Sequence, residues 1–429
     1  MPELIHNANQ GVSRGRILFT WELGQNSGHV LPALPILQAL ASEGHEICVA
    51  LRDVRSLGGL LRSEGFTVLQ APALPDVMLR RDEVQPNSLA DILAILGFRS
   101  STALEGLLTA WMSLLQLVKP DVVVASYAPL SLFLARSMGI RTVVLAFPME
   151  VPVRIHPQPP FPGKAPGAGA SDCLILAALR TALSRVGISQ LPSAVYELFE
   201  ADLRVLMTFP EFDFIMRDHQ RDGPLIYAGA TAPRELSGAQ NAIWPVSVGQ
   251  LKIFATLHLA LPFIDRIRET LIASPYSVFV VLAGATVRDL ENWTAPNMAV
   301  TNQRVNLGDA IGQCDVALSY AGHSTVCAAA IAGKPQVLVP RDWEQGMTAR
   351  CCVQLRLGVV PDLDAEGSLL KAIAFAAEDP HGRLARSAFC AAHTRDSNTT
   401  ESVARQIAAL ARCRLTWPST SAGCRPPSR

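Results

Sequence analysis

The sequence has no excess of charge of either sign and few charged residues overall. Lys plus Arg and Asp plus Glu number 37 each, and charged residues make up 17% of the 429 residues. A chain without a net field exerts no general attraction on nucleic acid or on an anionic membrane surface. An anionic ligand would therefore be bound by a local arrangement of groups.

Long apolar runs and closely paired cysteines are also missing. No stretch reaches the ~18 uninterrupted apolar residues of a spanning helix, and residues 1–16 contain no apolar segment typical of a secretory signal. The nine cysteines include no Cys-x-x-Cys pair, which disfavours a zinc site and a disulfide framework. These absences predict a cytoplasmic protein with free thiols, while the positive mean hydropathy leaves peripheral membrane contact open.

What the chain does have is length and apolar content. At about 150 residues per domain, its length predicts two or three domains, and its 49% apolar residues suffice to bury parallel sheets. Short apolar strands alternate with helical patterns in both halves, as in strand Arg16–Thr20, helix Leu31–Glu43 and strand Glu46–Leu51. This alternation predicts an α/β protein with two doubly wound, Rossmann-like domains that face a cleft.

Changes in composition give the predicted division of the chain. It consists of a first domain at 1–232, a linker at 233–250, a second domain at 251–399, a helix at 400–415 and a disordered tail at 416–429. Within the first domain, seven prolines stand between Pro148 and Pro166. They exclude a core helix or strand and predict a surface loop from Phe147 to Gly169.

The most informative segment is Ser319–Leu357 in the second half. After the apolar strand Val316–Leu318 comes a turn of small residues, Ala321–Ser324, and Thr325 opens an alanine-rich helix that ends at Gly333. Free N–H groups and the positive end of the peptide dipoles hold an anion at such a helix start. The turn therefore predicts a diphosphate site.

An acidic and an amide residue follow the next strand. Strand Gln336–Pro340 leads to Glu344 and Gln345, at the sheet edge where ligands bind in open α/β folds. Vicinal sugar hydroxyls offer both donors and acceptors, which a carboxylate and an amide can match. Together with the turn, the pair indicates a nucleotide-sugar site, whereas an ordinary turn with an exposed Glu-Gln pair is the alternative.

A second glycine-containing turn follows the first strand and runs from Trp21 to Pro32. Its His29 lies at a helix start, where positive partial charge favours the neutral imidazole. A group with an ordinary pKa near neutrality suits removal of a proton from an attacking hydroxyl. His29 is therefore a candidate general base, although a lone histidine more often only caps or packs a helix.

Both turns resemble those of GT-B glycosyltransferases that use nucleoside-diphosphate sugars, especially the bacterial macrolide branch related to UDP-glucuronosyltransferases. The donor segment of that family reads approximately His-Gly-Gly-x-Gly-Thr, an alanine-rich helix, Gly-x-Pro, an apolar strand and Asp-Gln. Gly322, Thr325, Gly333-Lys334-Pro335 and Glu344-Gln345 correspond to it. Tyr320 replaces the histidine, Ala321 and Ser324 replace two glycines, and Gly28-His29-x-x-Pro32 resembles the acceptor-side turn.

The resemblance implies a set of donor-binding residues in the second domain. Main-chain groups of the turn would hold the β-phosphate, Tyr320 would approach the α-phosphate, His258 would contact phosphate, and Gln303 and Val305 would pair with the base. The full donor set is Tyr320, Ala321, Gly322, His323, Ser324, Thr325, Glu344, Gln345, Gln303, Val305 and His258.

On the acceptor side, the resemblance implies His29 as the catalytic base, with an acidic partner after the strand Asp121–Ala125. Ser126 and Tyr127 occupy that place, so Glu22 on the loop of His29 is the candidate partner, with a solvent-facing Glu22 as the alternative. The acceptor would contact Gly28, Trp111, Phe147 and Met149.

The predicted activity is transfer of a hexose, with inversion, from a nucleoside-diphosphate sugar to a hydroxyl of a small, apolar acceptor. The resemblance implies neither a metal nor a further cofactor. Two alternatives stay open: a nucleotide-sugar epimerase of the same fold, and a non-catalytic sugar-nucleotide-binding protein.

Overall fold

The computed structural model describes residues 14–24, 27–74, 86–165, 169–231, 238–245, 251–393 and 399–412. The predicted tail at 416–429 lies outside these residues. So do 233–237 and 246–250 of the predicted linker.

Within these ranges, seven strands form the sheet of the first domain: β1 (Arg16–Trp21), β2 (Glu46–Leu51), β3 (Thr67–Gln70), β4 (Val122–Ser126), β5 (Arg141–Ala146), β6 (Leu203–Leu206) and β7 (Ile226–Tyr227). They pair in parallel in the order β3-β2-β1-β4-β5-β6-β7. The helices are α1 (Leu34–Ser42), α2 (Val54–Ser63), α3 (Leu89–Leu93), α4 (Ser101–Val118), α5 (Pro129–Ser137), α6 (Ala170–Arg185) and α7 (His219–Asp222).

In the described part of the second domain, six strands pair in parallel in the order β10-β9-β8-β11-β12-β13. They are β8 (Lys252–His258), β9 (Ser277–Ala283), β10 (Met298–Thr301), β11 (Val316–Ser319), β12 (Gln336–Leu338) and β13 (Gly358–Val359). The helices are α8 (Ile264–Ile272), α9 (Val287–Trp293), α10 (Leu307–Gln313), α11 (His323–Ile331), α12 (Trp343–Gln354), α13 (Ser368–Glu378), α14 (Pro380–His393) and α15 (Thr399–Ala411).

The sequence of β1 shows why these sheets are buried on both faces. Leu18 packs on the side of α4 and α6, while Ile17 and Phe19 pack on the side of α1. Parallel strands covered by helices on both faces are apolar at nearly every position, which is the pattern that predicts them. The predicted pair of doubly wound α/β domains is confirmed.

Helix α15 packs on the first domain, although it follows the second domain in the chain. Val403, Ala404, Ile407 and Ala408 are fully buried, in the same cluster as Leu37 of α1. Their spacing of three and four residues places them on one face of the helix. The last described helix therefore covers one side of the first sheet.

An interdomain seam joins the two halves. It consists of Phe209, Phe212 and Phe214, which follow β6, packed with Val326 of α11 and Cys352 of α12. The aromatic side chains are at most 8% exposed. The segment after β6 therefore forms part of the core beneath the start of α11.

The prediction that Phe147–Gly169 is a surface loop is wrong for much of its length. Phe147, Val151 and Phe161 are buried, and Phe161 stacks on Trp343 of α12, with ring centroids 4.5 Å apart. The prolines prevent regular structure, but the segment is packed between the two domains. No single helix in the described ranges is long and apolar enough to cross a bilayer.

Candidate active site

His29 lies in a short helical turn, Ser27–His29, between β1 and α1. Its ring stacks between Trp21 and Tyr127, with ring centroids 6.0 Å and 5.7 Å away. The side chain is 14% exposed. These contacts fix the plane of the imidazole at the carboxyl edge of the first sheet.

Glu150 is the acidic residue that contacts His29. Glu150 Oε1 lies 2.9 Å from His29 Nδ1, and the carboxyl is 3% exposed. It follows β5 in the turn Pro148–Glu150, and its Oε2 accepts a hydrogen bond of 3.0 Å from the N–H of Phe147. The sequence analysis did not identify Glu150 because its segment was predicted to be exposed. A signal was present, since Glu150 is the only carboxylate between Phe147 and Gly169.

Glu22 does not take the predicted role of orienting His29. Its two oxygens accept hydrogen bonds from Trp111 Nε1 at 2.6 Å and from the N–H of Leu130 at 2.9 Å. Trp111 is fully buried in this contact, so it is not the predicted wall of an open acceptor site. Burial outweighs these hydrogen bonds and raises the pKa of Glu22 to about 8.

The electrostatics of His29 reflect both domains. Burial lowers the pKa of His29, but the charges of Glu150 and Glu344 raise it by more, against the opposing effect of Arg52, so the net pKa lies above its ordinary value. Glu344 belongs to the second domain. The imidazole is therefore close enough to the second domain to respond to its charge.

Gly24 gives His29 its space. Its φ is +85°, and a Cβ at this position would lie 2.3 Å from His29 Nε2. The loop therefore needs a glycine at 24 for a steric reason as well as a conformational one. The predicted acceptor contact Gly28 is exposed and precedes His29 in the chain.

In the second domain, the predicted turn leads into α11. Gly322 is its N-cap residue, and Ala321 before it has φ of +61°. The N–H groups of His323, Ser324 and Thr325 start the helix, where no intrahelical acceptor precedes them. The Tyr320 ring lies over Gly322, since a Cβ on that glycine would be 3.0 Å from the ring.

The side chain of His323 points into the interdomain seam, which leaves its main-chain N–H for the predicted phosphate site. Its Nε2 lies 2.7 Å from Oγ1 of Thr208, which follows β6. Burial lowers the pKa of His323 to about 4, which keeps the ring neutral. Phe147 lies between the two histidines, with its ring 5.1 Å from His323 and 6.5 Å from His29. Phe147 is thus buried, in the core cluster of the first domain, and does not form an open acceptor wall.

The start of α12 carries the predicted Glu-Gln pair. Asp342 caps the helix by accepting a 3.0 Å hydrogen bond from the N–H of Gln345, whose Oε1 accepts one of 2.9 Å from the N–H of Arg341. Burial and the charge of Glu150 raise the pKa of Glu344 to about 7. The structure thus brings Glu344 toward His29 and Glu150 across the cleft.

His258 ends β8, beside the end of β11. Its Nδ1 accepts a 2.9 Å hydrogen bond from the N–H of Ala260. Burial and the nearby positive charge of Arg341 lower its pKa, and the same arginine acts on Tyr320. Arg341 is an exposed cation at this edge that sequence reasoning missed.

The predicted base-binding segment pairs with residues of the linker. The N–H of Gln240 donates to the carbonyl of Arg304, and its carbonyl accepts from the N–H of Asn306, both at 2.9 Å. In such a parallel bridge the N–H and C=O of Val305 point to the opposite side. Gln303 binds its neighbours Thr301 and Asn302.

Two further features belong to the first domain. A cavity beside Glu22 is lined by Leu23, Arg52, Pro72, Ala73, Leu74, Leu96, Phe98, Leu107 and Leu130. Met149 is half-buried and packs on both the first-domain core and the seam. Among the described residues, no three His, Cys, Asp or Glu side chains converge as a metal site would require.

No family model matches the sequence, and no curated protein matches it. Several solved structures have a similar fold. The glycosyltransferase SnogD from Streptomyces nogalater is 22% identical, with a TM-score of 0.64, and the match covers 93% of this chain and 99% of SnogD.

Two more structures agree with this match. The glycotransferase of kitacinnamycin is 18% identical, with a TM-score of 0.67, over 92% of this chain and 99% of its own. VinC, solved in complex with DTDP, is 16% identical, with a TM-score of 0.66, over 92% and 99%. These likenesses show that the chain has the GT-B fold.

Proposed function

We propose that the protein is a glycosyltransferase that moves a hexose from a nucleoside-diphosphate sugar to a hydroxyl of a small acceptor, with inversion and without a metal. The observation that carries the proposal is the pairing of His29 with Glu150 on the first domain, opposite Glu344 and the start of α11 on the second. A base and an anion site that face one cleft are what direct displacement of a diphosphate requires. The similar structures are those of glycosyltransferases, which supports the same activity.

We assign the proton transfer to His29. Because the carboxylate of Glu150 faces Nδ1, it favours the tautomer with its proton on Nδ1 and leaves Nε2 as the acceptor. Nε2 takes the proton of the acceptor hydroxyl, whose oxygen attacks the anomeric carbon as the bond from that carbon to the diphosphate oxygen breaks. Glu150 then stabilises the imidazolium that forms, as the aspartate does in a serine protease triad.

The leaving diphosphate would be held at the start of α11. Its first N–H groups, from His323 to Thr325, are fixed by the helix, so they need no reorganisation as negative charge develops. Arg341 and Tyr320 lie at the same edge. Glu344 and Gln345 would bind sugar hydroxyls, and the outward N–H and C=O of Val305 would pair with a pyrimidine edge. The DTDP bound to VinC supports a nucleoside diphosphate of this class.

The acceptor would enter the cavity beside Glu22. Apolar side chains line most of it, and Glu22 and Arg52 supply two polar groups. The cavity encloses about 20 Å³, which is room for about one water molecule, so an acceptor would have to widen it on binding. This lining favours an acceptor with an apolar body.

The experiment measures donor binding and turnover separately. TDP-glucose and UDP-glucose are titrated calorimetrically into wild type and His29→Ala, and nucleotide release is followed with water and with a panel of phenols and aliphatic alcohols. We expect donor binding to be retained in the variant and kcat/KM to fall by ~10²–10⁴-fold, the range for a lost general base.

Unchanged turnover in His29→Ala would remove His29 from the mechanism. Tight donor binding without product from any acceptor would instead favour a non-catalytic protein. Conversion of the donor sugar in the absence of acceptor would indicate an epimerase.

A further inference from the structure

The turn that carries Glu150 is held weakly by its own backbone. Within Pro148–Glu150, the N–H of Glu150 donates to the carbonyl of Phe147 at 3.0 Å, and the N–H of Val151 reaches the carbonyl of Pro148 only at 3.4 Å. Pro148 has no N–H to contribute. The N–H of Phe147 fixes Oε2 of Glu150 relative to the turn, so the position of the carboxylate in the cleft depends on what holds the turn as a whole.

Arg217 supplies those contacts from the segment before α7. Its Nη1 donates to the carbonyl of Val151 and its Nη2 to the carbonyl of Pro148, both at 2.6 Å. These two carbonyls flank Met149 and Glu150 on either side. One guanidinium thus binds the carbonyls at both ends of the turn Pro148–Glu150 and clamps it.

The guanidinium is itself fixed by a buried carboxylate. Arg217 Nε donates to Asp213 Oδ2 at 2.6 Å, and the two side chains are 4% and 3% exposed. The hydroxyl of Tyr227, on β7, also donates to Asp213 Oδ2, at 2.9 Å. A chain of hydrogen bonds therefore connects β7 through Asp213 and Arg217 to the turn. The carboxylate of Asp213 and the guanidinium of Arg217 neutralise each other.

We infer that Arg217 is a positioning residue that holds Glu150 against His29, with Asp213 and Tyr227 fixing Arg217 in place. That this positioning matters for catalysis rests on the proposed function. A lysine would not replace it, because one ammonium cannot donate in three directions of a planar fork to Asp213 and to two carbonyls.

A displaced Glu150 would change the titration of His29. The charged groups that act on His29 are Glu150, Glu344 and Arg52, and Tyr127 packs on its ring. Of these groups, Glu150 is the one that belongs to the clamped turn, and its Oε1 lies 2.9 Å from Nδ1. If the clamp is lost, imidazolium loses its nearest carboxylate, and its pKa falls.

The test compares Arg217→Lys with Arg141→Lys. Arg141 forms a partly exposed ion pair of 2.9 Å with Asp202 at the other end of β5, so it is the matched control. The His29 ring is titrated by NMR in the free protein, and thermal unfolding is recorded for each variant. We expect Arg217→Lys to lower the pKa of His29 by about one unit, the smaller shift that an adjacent opposite charge produces, and Arg141→Lys to leave it unchanged.

Destabilisation of Arg217→Lys without a change in the titration of His29 would overturn the inference. Should that variant not fold, Tyr227→Phe removes only the hydrogen bond to Asp213 and is expected to shift the pKa in the same direction by less. An unchanged titration there would also overturn it. Since no substrate is needed, the result stands apart from any failure to detect transfer. Where transfer is detected, the acid limb of kcat/KM should move with the titration.

Discussion

His29 receives its acidic partner from β5, whereas the pattern that the sequence resembles places that partner after the preceding strand. Glu150 Oε1 lies 2.9 Å from His29 Nδ1, while Tyr127, which follows β4, stacks on the ring. The acid and the aromatic residue thus approach the imidazole from adjacent strands. The pairing can be tested by removing the charge alone.

Glu150→Gln should weaken transfer and broaden its pH range on the acid side. The charges of Glu150 and Glu344 hold the pKa of His29 above its ordinary value despite burial, so wild-type kcat/KM should fall as the pH drops through a value above about 6.5. In the variant this limb moves to lower pH, and the plateau falls by ~10–100-fold because the imidazolium loses its counter-charge. Glu46→Gln, which alters a partly exposed pair with Arg16 at the opposite edge of the first sheet, should show neither the shifted limb nor the lower plateau.

Gly24→Ala should abolish the proposed transfer by displacing His29, the proposed base. The added Cβ would lie 2.3 Å from His29 Nε2, and a shift of about 1 Å in a catalytic group can lower the rate ~100-fold. Gly65→Ala is the matched control, since its φ of +82° is nearly the same and no atom lies within 4 Å of its Cβ. Both variants should lose about 1 kcal/mol of stability, measured by urea unfolding, but only Gly24→Ala should lose turnover. Equal activity of the two would contradict the placement of His29.

Trp343→Ala should weaken donor binding. Trp343 opens α12, stacks on Phe161 at 4.5 Å and donates to the carbonyl of Pro162 at 3.3 Å. The next two residues are Glu344 and Gln345, so the first domain supports the proposed sugar contacts. Loss of the aromatic pair, about 0.5–1.5 kcal/mol, should raise the Kd for a nucleotide sugar by up to about tenfold, measured by calorimetry.

The matched variant Trp343→Phe keeps the stack and loses only the hydrogen bond. Its donor Kd should lie close to that of wild type. If Trp343→Ala binds the donor normally, although it is less stable, the link between this contact and the donor site is wrong.

Glu22 should make the protein less stable as the pH rises. Burial raises the pKa of Glu22 from 4.5 to about 8 in the folded state, so the folded protein holds a proton there that the unfolded chain has released. The free energy of unfolding should therefore fall between these values by up to about 1.4 kcal/mol per pH unit. Urea unfolding at pH 5, 6, 7 and 8 should show a smaller slope for Glu22→Gln. An identical slope in both proteins would show that Glu22 is charged when buried.

The fold was predictable because its evidence is local. Apolar runs such as those of β1 and β4 alternate with amphipathic helices, and parallel strands buried on both faces have this composition wherever they occur. The turn before α11 was recognisable for a similar reason. Small residues between a strand and an alanine-rich helix leave a marked pattern within a few positions.

The remaining features depend on tertiary packing. Glu150 stands in a proline-rich segment whose burial results from contacts such as Phe161 with Trp343, and nothing in the local sequence records them. His323 lies in the predicted phosphate turn, yet its ring points to Thr208 from another domain. Glu22 shares a loop with His29, but Trp111 and Leu130 bind its oxygens. Adjacency in the chain did not give adjacency in space.

The return of α15 to the first sheet makes the two halves interdependent. A fragment cut between the domains would leave α1 with its apolar face, including Leu37, in water, because Val403 and Ile407 would remain on the other piece. Separately produced halves should therefore be poorly soluble, yet able to reassemble when mixed. The chain also passes between the two domains twice, once before β8 and once before α15. Any opening of the cleft must therefore bend both of these connections at once.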